Sequence, residues 1–159
     1  MKTLIIYTSK YGCTADCATY LKSKLSSDIT LIDAKNHDKK IELEQFDTVI
    51  MGSSIYMGRI SKELHSFCEE NLEILCQKKI GLFLCCGLAD QLDEFLTNNF
   101  PSKLIEHAQM TVHFGSKARL EKMKFFDKCI LRAVTKGDFS PFKILYENIE
   151  KFAEVFNSY

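Results

Sequence analysis

Apolar residues in this chain form short unbroken runs that alternate with stretches of helical spacing. Lys2–Thr8 (KTLIIYT) reads as a strand buried on both faces, because β-branched and aromatic residues dominate and no polar residue alternates with them. A glycine interrupts residues 9–14, and across 15–25 the apolar positions Cys17, Ala18, Leu21 and Leu25 recur at helical spacing. Residues 29–32 and 47–51 read as a second and a third strand, 79–86 (KIGLFLCC) as the most deeply buried one, and 109–114 as a fifth. Residues 61–75 place Leu64, Phe67, Cys68, Leu72 and Leu75 on one helical face. Residues 89–100 predict a short helix ended by Pro101, and 140–156 a closing helix with Ser140 as its cap and Pro141 in its first turn. Strands alternating with helices pair in parallel through crossovers, so the pattern predicts a three-layer α/β sandwich. Neither a repeat nor a linker interrupts it, and one domain over residues 1–159 is expected.

Composition supports this reading. At 159 residues the chain is long enough to bury about 70% of its unfolded surface. With 46% hydrophobic and 26% charged residues, disordered and collagen-like classes are excluded. The uncharged run 80–89 has half the length of a membrane-spanning helix, and the N-terminus lacks the pattern of a signal peptide. A cytoplasmic protein is expected, or one peripheral on the inner face of the cell membrane. The seven cysteines are odd in number, and neither Cys13/Cys17 nor Cys68/Cys76 has zinc-type spacing. Reduced, mostly buried thiols are the expectation, with metal binding the lesser alternative. His37, His65, His107 and His113 are scattered and do not strengthen it.

The balance of 21 basic and 21 acidic residues hides an asymmetry. Residues 1–116 carry 12 Lys/Arg against 15 Asp/Glu, residues 117–136 carry 7 against 2, and residues 137–159 carry 2 against 4. One short segment holds almost all of the positive excess.

In open α/β sheets a ligand sits beyond the carboxyl ends of the strands, where strand order reverses. After the first strand come Thr8, Ser9, Lys10, Tyr11, Gly12, Cys13 and Thr14, in which hydroxyls, a glycine and a helix N-terminus can form an anion cradle. The segment is neither GxxxxGK[ST] nor GxGxxG, which disfavours nucleoside triphosphates and dinucleotides. After the third strand, Gly52 and Gly58 bracket an apolar loop with Ser54, Ile55, Tyr56 and Met57. Such a loop is expected to meet something flat, or else to fold back on a neighbouring helix. After the fourth strand, Cys86, Gly87 and Leu88 are small enough to let a ring edge approach the backbone. A phosphate loop with two apolar loops suits a mononucleotide that carries an aromatic ring.

Ser9, Gly12 and Thr14 resemble the FMN-phosphate loop of flavodoxins, S-x-T-G-N-T, with Tyr11 in place of the second threonine and Cys13 in place of asparagine. Y-T-S-K-Y-G-C-T, G-S-S-I-Y-M-G, and H-F-G-S followed by K-M-K-F-F-D-K resemble the flavodoxin-like protoporphyrinogen IX dehydrogenases (oxidases) of bacteria over essentially the whole chain. That resemblance implies a five-stranded parallel sheet in the order 2-1-3-4-5, with FMN as cofactor and porphyrinogen oxidation with a quinone as acceptor. It also implies that residues 8–14 hold the phosphate, and that 54–58 and 86–88 hold the ring. No residue pattern identifies an acid–base catalyst. Asp90, Arg59 and Lys62 lie near the strand ends, where substrate charges would arrive.

The segment between the fifth strand and the last helix, about residues 117–138, is an insert with a reading of its own. Lys124, Lys128, Arg132 and Lys136 recur at i,i+4 as a basic stripe, with Met123, Phe126, Ile130 and Val134 roughly opposite and Phe125 at the boundary. A basic amphipathic helix of this kind reads as a membrane or partner surface, or as a surface helix with a solvated basic face. Nucleic acid is not expected, because stacking aromatics do not alternate with the cations. Two rival functions stay open: a carrier of electrons between soluble redox partners, and a scaffold or sensor of the same fold without flavin.

Overall fold

A computed structural model describes residues 1–87 and 89–158. Five parallel strands form one sheet: β1 (Lys2–Thr8), β2 (Asp28–Asp33), β3 (Thr48–Ser54), β4 (Lys79–Cys85) and β5 (Met110–His113), in the order β2-β1-β3-β4-β5. This is the order that the resemblance implies. The chain runs from β1 outward to β2 and then crosses to β3 on the other side of β1. The loops that follow β1 and β3 therefore meet at the reversal.

The central strands are apolar on both faces because helices cover both. Alternate residues divide between two cores. Leu4, Ile6, Val49, Met51, Leu82 and Leu84 pack under α2 (Lys62–Glu70), α4 (Leu92–Asn99) and α5 (Ser102–His107). Ile5, Ile50, Phe83 and Cys85 pack under α1 (Cys13–Lys24) and α7 (Tyr146–Asn157). A Cβ at Gly52 would fall inside the Phe83 ring, so glycine is required where that ring crosses β3.

Three expected elements differ. The helix expected over 61–75 breaks at Asn71, whose side-chain amide donates to the Phe67 carbonyl at 2.8 Å, and α3 (Leu72–Leu75) continues separately. Pro101 ends α4 but also begins α5, since Leu104 and Ile105 donate their N–H groups to its carbonyl. The closing helix begins at Tyr146 rather than at 140. Ser140 bonds Asp138 instead of capping a helix, Ile144 pairs antiparallel with Gly115, and Leu145 N–H donates to the Phe114 carbonyl at 2.9 Å. These pairings hold residues 142–145 extended beside the end of β5. Between Gly115 and Ile144 the insert leaves the sheet and returns, carrying α6 (Phe125–Thr135).

Among the described residues no helix is long and apolar enough to cross a membrane.

Candidate functional site

The first loop turns sharply into α1. Gly12 caps the helix in the left-handed region (φ 90°), and its N–H donates to Ser9 Oγ at 3.0 Å. A Cβ there would meet Arg119 Nη1 at 2.6 Å, so a side chain at this position would also displace the guanidinium of the insert. Thr14, in the first turn, buries its hydroxyl with no hydrogen-bond partner. Ser9, Lys10, Tyr11, Cys13 and Thr14 border a cavity of about 440 Å³. Thr8 does not; its hydroxyl is spent on Ser53 Oγ at 2.9 Å inside the sheet.

The second loop is a two-residue turn. Tyr56 and Arg59 exchange backbone hydrogen bonds at 2.9 and 3.0 Å across Met57 (φ 49°) and Gly58 (φ 76°), both left-handed as a type I′ turn demands. Met57 is a strained choice for that position and stands 71% exposed at the tip. Ser54, Ile55, Tyr56, Met57 and Gly58 all border the cavity, as do Cys86 and Gly87 from the third loop. The ring of Phe142 occupies the space a Cβ at Gly87 would need, which seals this side. Leu88 lies outside the described residues. Arg59 donates to the Asn98 carbonyl at 3.2 Å, and neither it nor Lys62 nor Asp90 reaches the cavity.

The insert is the roof. Met123, Ile130, Leu131 and Val134 face the cavity, and Asp127 between them is 5% exposed. Its carboxylate accepts from the Tyr56 hydroxyl at 2.5 Å, from the Tyr11 hydroxyl, and from Lys10 Nζ at 3.1 Å. Lys10 Nζ also lies 3.0 Å from the centre of the Tyr56 ring. The hydroxyls of Tyr11 and Tyr56, then Lys10, hold the Asp127 carboxyl down to about 2. Burial and the bond to Asp127 push the Tyr11 hydroxyl up. Burial opposes the charge on Lys10, but Asp127 and Tyr56 outweigh it and raise its pKa. Arg119 bonds Asp16 in the first turn of α1 and so lies over the cradle.

Of the expected apolar stripe, Met123, Ile130 and Val134 border the cavity and Phe126 departs from it. Phe126 does not face inward; it is 67% exposed and Phe125 81%, because Asp127 takes the inward position instead. Lys124, Arg132 and Lys136 are exposed and Lys128 half-buried, and none of the four borders the cavity. Asp127, Arg119, Leu131 and Phe142 are the site residues that sequence reasoning missed. One signal was available: Asp127 is the lone acid within the apolar series Met123, Ile130 and Val134. The convergence of Cys13, Cys17 and Cys85, whose Sγ atoms lie within 4.8 Å of one another, has no sequence signal, because β4 is distant in the chain.

The family model described as flavodoxin domain matches residues 4–142. Oxidised flavodoxin 1 from Bacillus cereus superposes with a TM-score of 0.63 at 18% identity, over 100% of this chain and 99% of that one. A flavodoxin from the domain Archaea gives 0.53 at 17% identity, over 97% and 99%. The Flv1 flavodiiron core from Synechocystis gives 0.56 at 17% identity, over 98% of this chain and 34% of that one. At these identities the likeness is one of fold. No curated protein matches the sequence.

Proposed function

Because the chain belongs to the flavodoxin domain family, we propose that it binds FMN and acts as an oxidoreductase of the protoporphyrinogen IX dehydrogenase type, with a quinone as acceptor. The residues present fit the cofactor. The unpartnered Thr14 hydroxyl, the first-turn N–H groups of α1 and the overlying Arg119 offer a monophosphate its donors. Ile55, Tyr56 and Met57 on one side and Cys86 and Gly87 on the other offer a ring its apolar walls. Bound there, FMN would supply the two-electron chemistry, and the protein the position and electrostatics.

One observation favours an enzyme over a bare electron carrier: the apolar face of α6 roofs the loops and is tied to two of them through Asp127. A carrier needs a flavin edge open to its partner, whereas this roof covers the loops and would orient an apolar substrate between them. The porphyrinogen rests on the resemblance of the loop and insert motifs. The exposed pair Phe125 and Phe126, beside Lys124 and Arg132, supports a peripheral position at an anionic membrane, where quinones reside.

The test is anaerobic turnover of protoporphyrinogen IX with a soluble quinone by the FMN-loaded protein, against a non-porphyrin hydride donor. Porphyrin formation that depends on quinone and flavin is expected. Rapid electron exchange with redox proteins, without porphyrin formation, would move the function to the carrier reading.

A further inference from the structure

Beneath the first loop three buried thiols meet. Cys13 opens α1, Cys17 follows one turn later, and Cys85 ends β4, and none is in a disulfide. Cys13 is set apart by its surroundings. Like Cys85 it borders the cavity, but its Sγ also accepts from the Lys117 N–H at 3.3 Å, and it stands at the positive end of a twelve-residue helix with Arg119 nearby. The adjacent Cys17 and Cys85 thiols hold the Cys13 thiol well below the ordinary thiol range, helped by the Lys117 N–H and Arg119. Their own thiols are raised in return, by the nearness of Cys13 and by burial. A low-pKa thiol at a cavity wall, with protonated thiols beside it, is the arrangement of a redox-responsive cysteine with a resolving partner.

We propose that Cys13 is a hydroperoxide-reactive cysteine resolved by Cys85, so that oxidation staples the first turn of α1 to the end of β4. The Cys13 sulfur attacks one peroxide oxygen, the O–O bond breaks, and the departing hydroxide takes a proton from solvent and leaves as water. Cys13 then carries a sulfenic acid. The Cys85 sulfur attacks it, an S–S bond forms, the S–O bond breaks, and the released hydroxide takes the Cys85 proton as a second water. The two thiols lose two electrons and the peroxide gains them. Cys17 is a poor partner. Residues four apart on a helix hold their Cβ atoms about 5–6 Å apart, whereas a disulfide needs about 3.5–4.5 Å. The staple lies at the phosphate cradle, so on the FMN reading above a bound phosphate shields Cys13; the thiol chemistry itself does not need that reading.

The experiment exposes the purified chain, with and without FMN, to one equivalent of hydrogen peroxide. Free thiols are then blocked and the peptides mapped by mass spectrometry. The expected result is a Cys13–Cys85 linked peptide that forms at least about tenfold faster than oxidation of the exposed Cys129. Cys85→Ala should stop at a Cys13 sulfenic acid that dimedone traps; should that variant not fold, the peptide map of the unaltered chain decides. Oxidation of Cys129 with Cys13 still free would overturn the proposal. So would a Cys13–Cys17 link, or one equivalent of a thiophilic metal that protects all three thiols in the protein as purified. A Cys13–Cys85 link whose rate FMN leaves unchanged would support the thiol centre and count against the phosphate placement.

Discussion

Tyr56 donates its hydroxyl to Asp127 at 2.5 Å across 71 positions of sequence, joining the turn after β3 to the first turn of α6. Asp127 also takes the Tyr11 hydroxyl and the Lys10 ammonium, so one carboxylate fastens the insert to two loops. Removing it would leave those donors facing an apolar helix.

Asp127→Asn should therefore destabilise the fold by about 2 kcal/mol at neutral pH, the scale of a charge-assisted hydrogen bond. It should also speed proteolytic cleavage within the insert. The carboxyl titrates at about 2 in the fold against 3.8 unperturbed. Its contribution is thus complete above pH 4 and disappears as pH falls through about 2. Urea denaturation of both proteins between pH 6 and pH 2 checks this; a stability gap that does not narrow below pH 4 would contradict the ionic clamp.

Thr14→Val should act with opposite signs on the empty and the loaded protein. Its hydroxyl is buried without a partner, so the valine should raise flavin-free stability by about 1 kcal/mol. On the proposed placement of FMN the same change removes a phosphate donor, and FMN affinity should fall by about tenfold or more. Thermal denaturation and flavin fluorescence titration read the two effects separately. Parallel changes would mean that the hydroxyl does not face the phosphate.

Gly12→Ala combines two penalties. A left-handed φ costs a non-glycine residue about 1–2 kcal/mol, and the new methyl displaces the Arg119 guanidinium. Both stability and FMN affinity should drop. The double change Gly12→Ala with Arg119→Ala should cost less than the two single changes summed, because the clash disappears. Strict additivity would show that Arg119 moves aside freely.

Changing Lys124, Lys128, Arg132 and Lys136 together to Gln should cost about 3–4 kcal/mol of binding to anionic liposomes, at about 1 kcal/mol for each cation near the surface. None of the four borders the cavity, so flavin content should hold. Co-sedimentation at low and high salt, with the flavin spectrum alongside, measures both. Salt-independent binding would point away from the headgroups.

The sheet was legible in the sequence because β1 and β4 are apolar on both faces, a pattern that burial from two sides alone explains. The loops of the site were legible for a related reason: hydroxyls and glycines at strand ends, as in Ser9, Gly12 and Thr14, answer to local backbone geometry. What could not be read was set by distant pairing. The start of α7 depends on Ile144 finding Gly115, and the inward place of Asp127 on its finding Tyr11 and Tyr56. The spacing of Lys124, Lys128, Arg132 and Lys136 predicts a helix whichever of Phe126 and Asp127 turns inward, and only the partners choose between them.

The insert leaves and rejoins the sheet at one place, where Gly115 pairs with Ile144 and Ser116 N–H donates to the Lys143 carbonyl at 3.2 Å. An excursion whose ends already touch adds little strain to the chain that carries it. Doubling its length costs only about 0.6 kcal/mol of closure entropy. It is thus a cassette that can be lengthened, exchanged for another cover or cut down to a short turn without moving the five strands beneath. One scaffold can in this way host different traffic at the same three loops, and a chimera that receives only residues 116–143 should fasten the roof only where its host also carries counterparts of Lys10, Tyr11 and Tyr56.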